Sequence, residues 1–269
     1  MTSPWIAALA ALFLWWFSTG AIMVAARRAD QSGRHPLRIT LLSLPLLILG
    51  LLAFHFTRDS ATAGAIYGSF LSVLAIWGWV ELAFLTGVIT GPNPHPCPKG
   101  LPEWERFIRA WGTIAYHEML LAALLVLIWL HGAGAVNEVG LWTFATLYLA
   151  RVSAKLNLYF GVPRINTEFL PKALGHLASH FRLARLNWIF PISVTGLTAA
   201  TAWWLYEMTG AVSPTETTGI ALVATLTALA LLEHWLMVLP LPDAKLWRWM
   251  LPAPKQTGHT AGPEGPNGL

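Results

Sequence analysis

The chain reads as an all-α, polytopic integral membrane bundle of about seven transmembrane helices, and three observations lead there. It is 55% hydrophobic and only 11% charged, against about 25% charged residues in soluble domains. Several apolar runs exceed the roughly 18 residues that mark a membrane-crossing helix. Its Lys and Arg residues gather in alternate connections, as orientation signals do. The formal charge of +4 then belongs to cytoplasmic loops, and no nucleic-acid partner is expected. Cys97 is the only cysteine, so no internal disulfide can form.

The first span covers 4–26 and is followed by Arg27-Arg28. Basic residues behind a long apolar run read as an uncleaved anchor with its N-terminus in the periplasm. RRADQSGRHPLR is then a cytoplasmic loop. Spans two and three follow at 40–56 and 63–89, with Glu81 in the later half of the third. GPNPHPCPKGLPEW cannot be regular helix because of its prolines. The fourth span, 107–130, carries His117 and Glu118; the fifth, 141–163, carries Tyr148, Arg151, Lys155 and Asn157. Between spans five and six, 167–186 has a helical period with Lys172, Arg182 and Arg185 off the apolar side, which predicts an amphipathic helix on the membrane surface. The sixth and seventh spans are expected at 186–207 and 220–239, the last ending in Glu233-His234. Lys245, Trp247, Arg248 and Trp249 read as an interfacial anchor. Residues 1–251 thus form one transmembrane domain with its C-terminus in the cytoplasm, and the Gly/Pro-rich stretch 252–269 reads as a disordered tail.

The fifth span is the unusual one. An ionisable group at membrane depth costs roughly 2.5–3.5 kcal/mol even on lenient scales and therefore faces a partner or a wet cavity. Arg151 and Lys155 lie four residues apart and share a face with Tyr148. Counting about 1.5 Å per residue brings Glu81, His117, Glu118, Arg151, Glu233 and His234 to one level near the cytoplasmic side, with Lys155 shallower. One buried polar site is the economical account: Glu81, His117, Glu118, Tyr148, Arg151, Lys155, Asn157, Glu233 and His234.

Three uses of that site follow from its residue types. It forms a structural ion-pair network; or Glu81, His117, Glu118, Glu233 and His234 hold iron or zinc, as imidazole and carboxylate can; or the cations bind an anionic or tetrapyrrole ligand with a histidine as axial ligand. The two cations weigh against a metal. His176 and His180, at i,i+4 on the surface helix, could share a metal, but HxxxH is common by chance. His95 and Cys97-Pro98 sit in a rigid proline-rich turn, and His55 and His131 look interfacial. No catalytic triad or Gly-rich phosphate loop stands out.

WGWVELAFLTGVITGPNPHPCP, YHEMLLAAL, VGLWTFATLYLARVSAKLNLYFGVPRINTEFLP and LEHWLMVLPLPDAKLWRW together resemble the PuhE-like family of photosynthetic complex assembly proteins. The resemblance runs from the first span to about Trp249. It implies a protein of the bacterial cytoplasmic (inner) membrane linked to bacteriochlorophyll production and reaction-centre assembly. Its expected partners are membrane lipids and either reaction-centre and core-antenna polypeptides or bacteriochlorophyll-synthesis enzymes. The expected ligand is a bacteriochlorophyll or a precursor. No catalytic residue comes with the resemblance. The rival expectation is a metal-dependent oxidoreductase, using iron or zinc, that acts on a tetrapyrrole or another lipid-soluble substrate.

Overall fold

The computed structural model describes residues 2–32 and 36–241, and its secondary structure is helical. Eight α-helices follow in order: α1 (Pro4–Ser32), α2 (Pro36–Leu42), α3 (Leu44–Thr57), α4 (Ala63–Leu85), α5 (Glu103–Gly132), α6 (Val139–Phe160), α7 (Ile189–Gly210) and α8 (Pro214–Leu236). Among the described residues no strand forms; an isolated bridge joins Val162 to Leu183. The expected anchor at Lys245–Trp249 and the tail lie outside the described residues, as does part of the loop after α1.

Five segments are long and apolar enough to cross a membrane: α1, α2 and α3 taken together, α4, α5 and α8. The other two, α6 and α7, have 22 residues each, about 33 Å at 1.5 Å per residue. They have the length of a span but fall short in apolar character. Arg151 and Lys155 account for this in α6, and a run of Thr, Gly and Ala in α7.

α4 is the hub. Its buried residues come from every side, and it packs on α3, α6, α1 and α8. Two apolar clusters meet on it. In one, Val73, Ile76 and Val80 pack with Leu121, Ile128, Leu141 and Phe144; in the other, Ile66 and Phe70 pack with Ala7, Ala11 and Leu222. Away from the cytoplasmic end expected from the charges, Asn137 staples the loop before α6 by donating to Thr57 O and Ala65 O at 3.1 and 3.0 Å. There His55 Nδ1 lies 2.9 Å from His131 Nε2, and Arg58 donates to His131 O at 3.0 Å. These two histidines bond to each other, beyond the interfacial placement expected of them.

Several boundaries differ from the sequence reading for local reasons. The second span breaks at Ser43, because Pro45 in the first turn of α3 cannot continue α2. α4 ends at Leu85, four residues early, where Gly87 adopts φ +80°. α8 begins at Pro214 and not at 220: Ser213 Oγ accepts the Glu216 amide while Glu216 accepts the Val212 amide. That Ser-Pro-Thr-Glu sequence is a capping signal that the apolar count passed over.

The largest correction concerns 167–186. No amphipathic α-helix lies there; Thr167–Phe169 and Lys172–His180 form 3-10 turns on either side of Pro171. Proline interrupts the α-helical ladder. The apolar residues face the bundle instead of lipid: Leu174 and Leu177 are buried against Phe84, with Leu85, Ile114 and Phe181 around them. This segment is a cap on the end of the bundle.

One contact sets the geometry of α5. The loop after α4 presses against it so closely that a Cβ on Gly91 would clash with Gly112 O. Gly91→Ala should therefore lower thermal stability by at least about 2 kcal/mol, as overpacking against backbone does. Gly64→Ala, with nothing within 4 Å of the added Cβ, should leave the melting temperature unchanged. Equal melting of the two variants in detergent would refute the wedge.

Candidate functional site

Three helices build the polar centre. Glu81 and Phe84 come from one turn of α4, His117 and Glu118 from α5, and Arg151 and Lys155 from successive turns of α6. The loop places the α5 pair: the His117 amide donates to Thr90 O at 3.0 Å, the Asn93 amide to Gly112 O at 3.0 Å, and Asn93 Nδ2 to Arg109 O at 3.0 Å. The proline-rich stretch, read only as a turn, thus sets where His117 and Glu118 sit.

The charges resolve into two ion pairs. Arg151 Nη2 is 2.7 Å from Glu81 Oε2, and Lys155 Nζ donates to Glu118 Oε1. Between them is Phe84, a residue that sequence reasoning missed. Its ring lies 4.3 Å from the His117 ring, 5.3 Å from Lys155 Nζ and 5.8 Å from Arg151 Cζ, centre to centre or atom to centre. Both cations are thus held near an aromatic ring as well as a carboxylate. The signal was its spacing of three from Glu81, which puts both on one helix face.

His117 is fully buried, with Nε2 3.7 Å from Glu81 Oε1 and 3.9 Å from Glu118 Oε1. Both distances exceed a hydrogen bond. Neither ring nitrogen has a partner, nor do Glu81 Oε1 and Arg151 Nε. Buried polar atoms are nearly always satisfied, so this concentration of unsatisfied ones marks the centre as unusual.

The remaining expected residues separate from it. Asn157 ties α6 to the start of α7, donating to Ser193 Oγ at 2.9 Å and accepting from Asn187 Nδ2 at 3.0 Å. His234 has both nitrogens engaged, Nε2 with Ser153 Oγ and Nδ1 with Ala230 O, each at 2.8 Å. It joins α8 to α6 and has no free nitrogen for a ligand. Glu233 is exposed on α8 and hydrogen-bonds Trp15 of α1, yet it stays within electrostatic reach of Arg151. Tyr148 stays with the ion pairs as part of the adjoining cavity wall. Among the described residues no group of three His, Cys, Asp or Glu side chains is arranged to hold a metal.

His176 and His180 also change meaning. In a 3-10 turn of about three residues per turn, positions four apart point roughly 120° away from each other, so the shared-metal face disappears. His180 Nε2 instead bonds His95 O at 3.1 Å, and Ser179 Oγ accepts the Cys97 amide at 2.8 Å. Arg106 fastens the same corner, donating to Tyr159 O and His180 O at 3.0 Å each with its guanidinium 4.1 Å from the Tyr159 ring centre. Nothing in the periodicity of α5 distinguished Arg106.

Under the cap lies a cavity of about 740 Å³ between α1, α4, α5, α6 and residues 166–181. Glu81, Glu118, Arg151 and Lys155 form its polar side; Trp77, Phe84, Phe107, Trp111 and Tyr148 supply aromatic wall. This volume is in the range of small-molecule and cofactor sites.

Fold and site together define an α-helical membrane protein with an ion-paired, aromatic-walled cavity among its helices. The chain belongs to the family described as "Protein of unknown function (DUF3623)", whose model matches residues 1–258. It is similar to the "Uncharacterized 30.4 kDa protein in puhA 5'region" of Rhodobacter capsulatus, 52% identical over 265 residues, which cover 97% of this chain and 95% of the relative. No solved structure matches the chain.

Two outcomes test this geometry. Arg151→Leu strands Glu81 and should cost about 3 kcal/mol, the low end for breaking a buried pair, since the Arg151 side chain is 31% exposed. Adding Glu81→Gln should restore most of the loss in thermal melts. In the cap, burial pushes the His176 and His180 imidazoles below their ordinary range, and His180 and His95 add to the shift of His176. A base depressed in the folded state stabilises fully above its ordinary value of about 6.5, and that support is lost as pH falls through it. The melting temperature should therefore drop less between pH 7.5 and 5 in His180→Gln and His176→Gln than in wild type; identical slopes would contradict this.

Proposed function

We propose that the protein is an integral membrane assembly factor for the bacterial photosynthetic reaction centre and core antenna. In this reading it crosses the cytoplasmic membrane seven times, with α6 and α7 completing the five apolar spans, N-terminus in the periplasm and C-terminus inside. The cavity holds a bacteriochlorophyll or a precursor during pigment supply or complex assembly. The observation that carries the reading is the cavity itself, which has aromatic walls, opposes two ion pairs, and is bordered on one side by the cap of residues 166–181. A purely structural ion-pair network would need no adjoining space of about 740 Å³. The family resemblance and the kinship to a protein described by its position near puhA support the photosynthetic setting. The metal-dependent oxidoreductase loses one of its five expected ligands, because His234 is committed to Ser153 and Ala230.

The test is purification of the tagged protein from phototrophically grown cells, reading absorbance and co-purifying polypeptides. A tetrapyrrole spectrum that is reduced severalfold in a folded Phe84→Ala variant, together with reaction-centre or antenna subunits, is expected. Colourless protein without those subunits, even after crosslinking in membranes, would sink the proposal.

A further inference from the structure

The cavity wall is electrically balanced. In its depth Arg151 is matched by Glu81 and Lys155 by Glu118. At its mouth Arg27 and Lys172 stand with Asp30 and Glu168, and Asp30 Oδ2 accepts the Lys172 amide at 3.0 Å. Four cations thus meet four carboxylates. His180 is also in the wall, where burial pushes its imidazole below the ordinary range.

This balance constrains what can bind. A ligand with a free carboxylate finds no unmatched cation in the depth of the cavity. To reach Arg151 or Lys155 it must displace Glu81 or Glu118, whose side chains are only 8% and 5% exposed. The displaced carboxylate would be left buried and unpaired, the costly outcome for any interior charge. Glu81 Oε1 and Arg151 Nε are buried and without a hydrogen-bond partner, so what this end of the cavity presents to a ligand is the partly exposed, already paired Arg151 guanidinium. Trp77, Phe84 and Trp111 offer ring faces beside it.

We propose that the cavity takes its ligand in uncharged form, as a planar conjugated amphiphile whose carboxyl groups are esterified and whose carbonyl edge accepts from the Arg151 guanidinium. That the amphiphile is a tetrapyrrole rests on the function proposed above; that it is uncharged does not. The free acid of the same ring system is discriminated against by a wall whose cations are already equalled by carboxylates and whose two deep cations are ion-paired.

The test uses the full chain in a neutral detergent and three probes: protoporphyrin IX, its dimethyl ester, and decylubiquinone. Each is scored by the ligand-dependent rise in melting temperature, since a ligand binding only the folded protein raises it. Met23→Trp and Ile114→Trp, which fill the cavity from α1 and α5, serve as references; at least one of these conservative apolar changes should fold. The dimethyl ester should act at a concentration at least about tenfold lower than the free acid, about 1.4 kcal/mol, and this preference should vanish in the filled variants. A free acid that acts as well as the ester, or a preference that persists when the cavity is filled, overturns the inference while leaving a pigment role standing. Response to decylubiquinone but to neither porphyrin upholds an uncharged ligand and defeats the pigment. Silence from all three probes overturns the inference.

Discussion

The structure depends on the two ion pairs that α6 makes with α4 and α5. Arg151 and Lys155 would each be prohibitive in lipid, and so would Glu81 and Glu118. Together, around Phe84, they become a neutral polar island. α6 is less apolar than the neighbouring spans because it carries the cations, and its place beside α4 is fixed by the carboxylates it must meet. Hydrophobic packing cannot specify this, because lipid tails are as apolar as leucine.

Much of this was legible in the sequence. The helical membrane character follows from composition, and of the residues that depth counting set at one level the structure brings Glu81, His117, Glu118, Arg151 and Lys155 together. His234 and Glu233 take other bonding partners, because depth gives height in a membrane and not azimuth around a helix. His234 faces Ser153 while its neighbour Glu233 turns outward to Trp15, a difference of about 100° between adjacent helical residues.

The cap was misread for a different reason. Its apolar residues do recur with a period near that of an α-helix, but Pro171 divides the segment, and the 3-10 turns that result bury Leu174 and Leu177 inward. A pattern that would have spread along a surface became a closure. Phe84 carried only its spacing of three from Glu81 and Arg106 no signal beyond its type, since their importance lies in what stands opposite them. The cavity was equally unreadable: it exists where four helices and a loop fail to fill the space between them.

The close fit of Gly91 to Gly112 bears on biogenesis. Chains enter the bilayer from the N-terminus, and domains take shape in that order. The α4–α5 hairpin, with its loop seated against the backbone of α5, therefore exists before α6 has been synthesised. During that interval two acidic side chains and an imidazole are already gathered, with no cation to answer them. A hairpin standing in lipid at that stage would bear the full cost of its unpaired acids, a cost that Arg151 and Lys155 remove when α6 packs beside it.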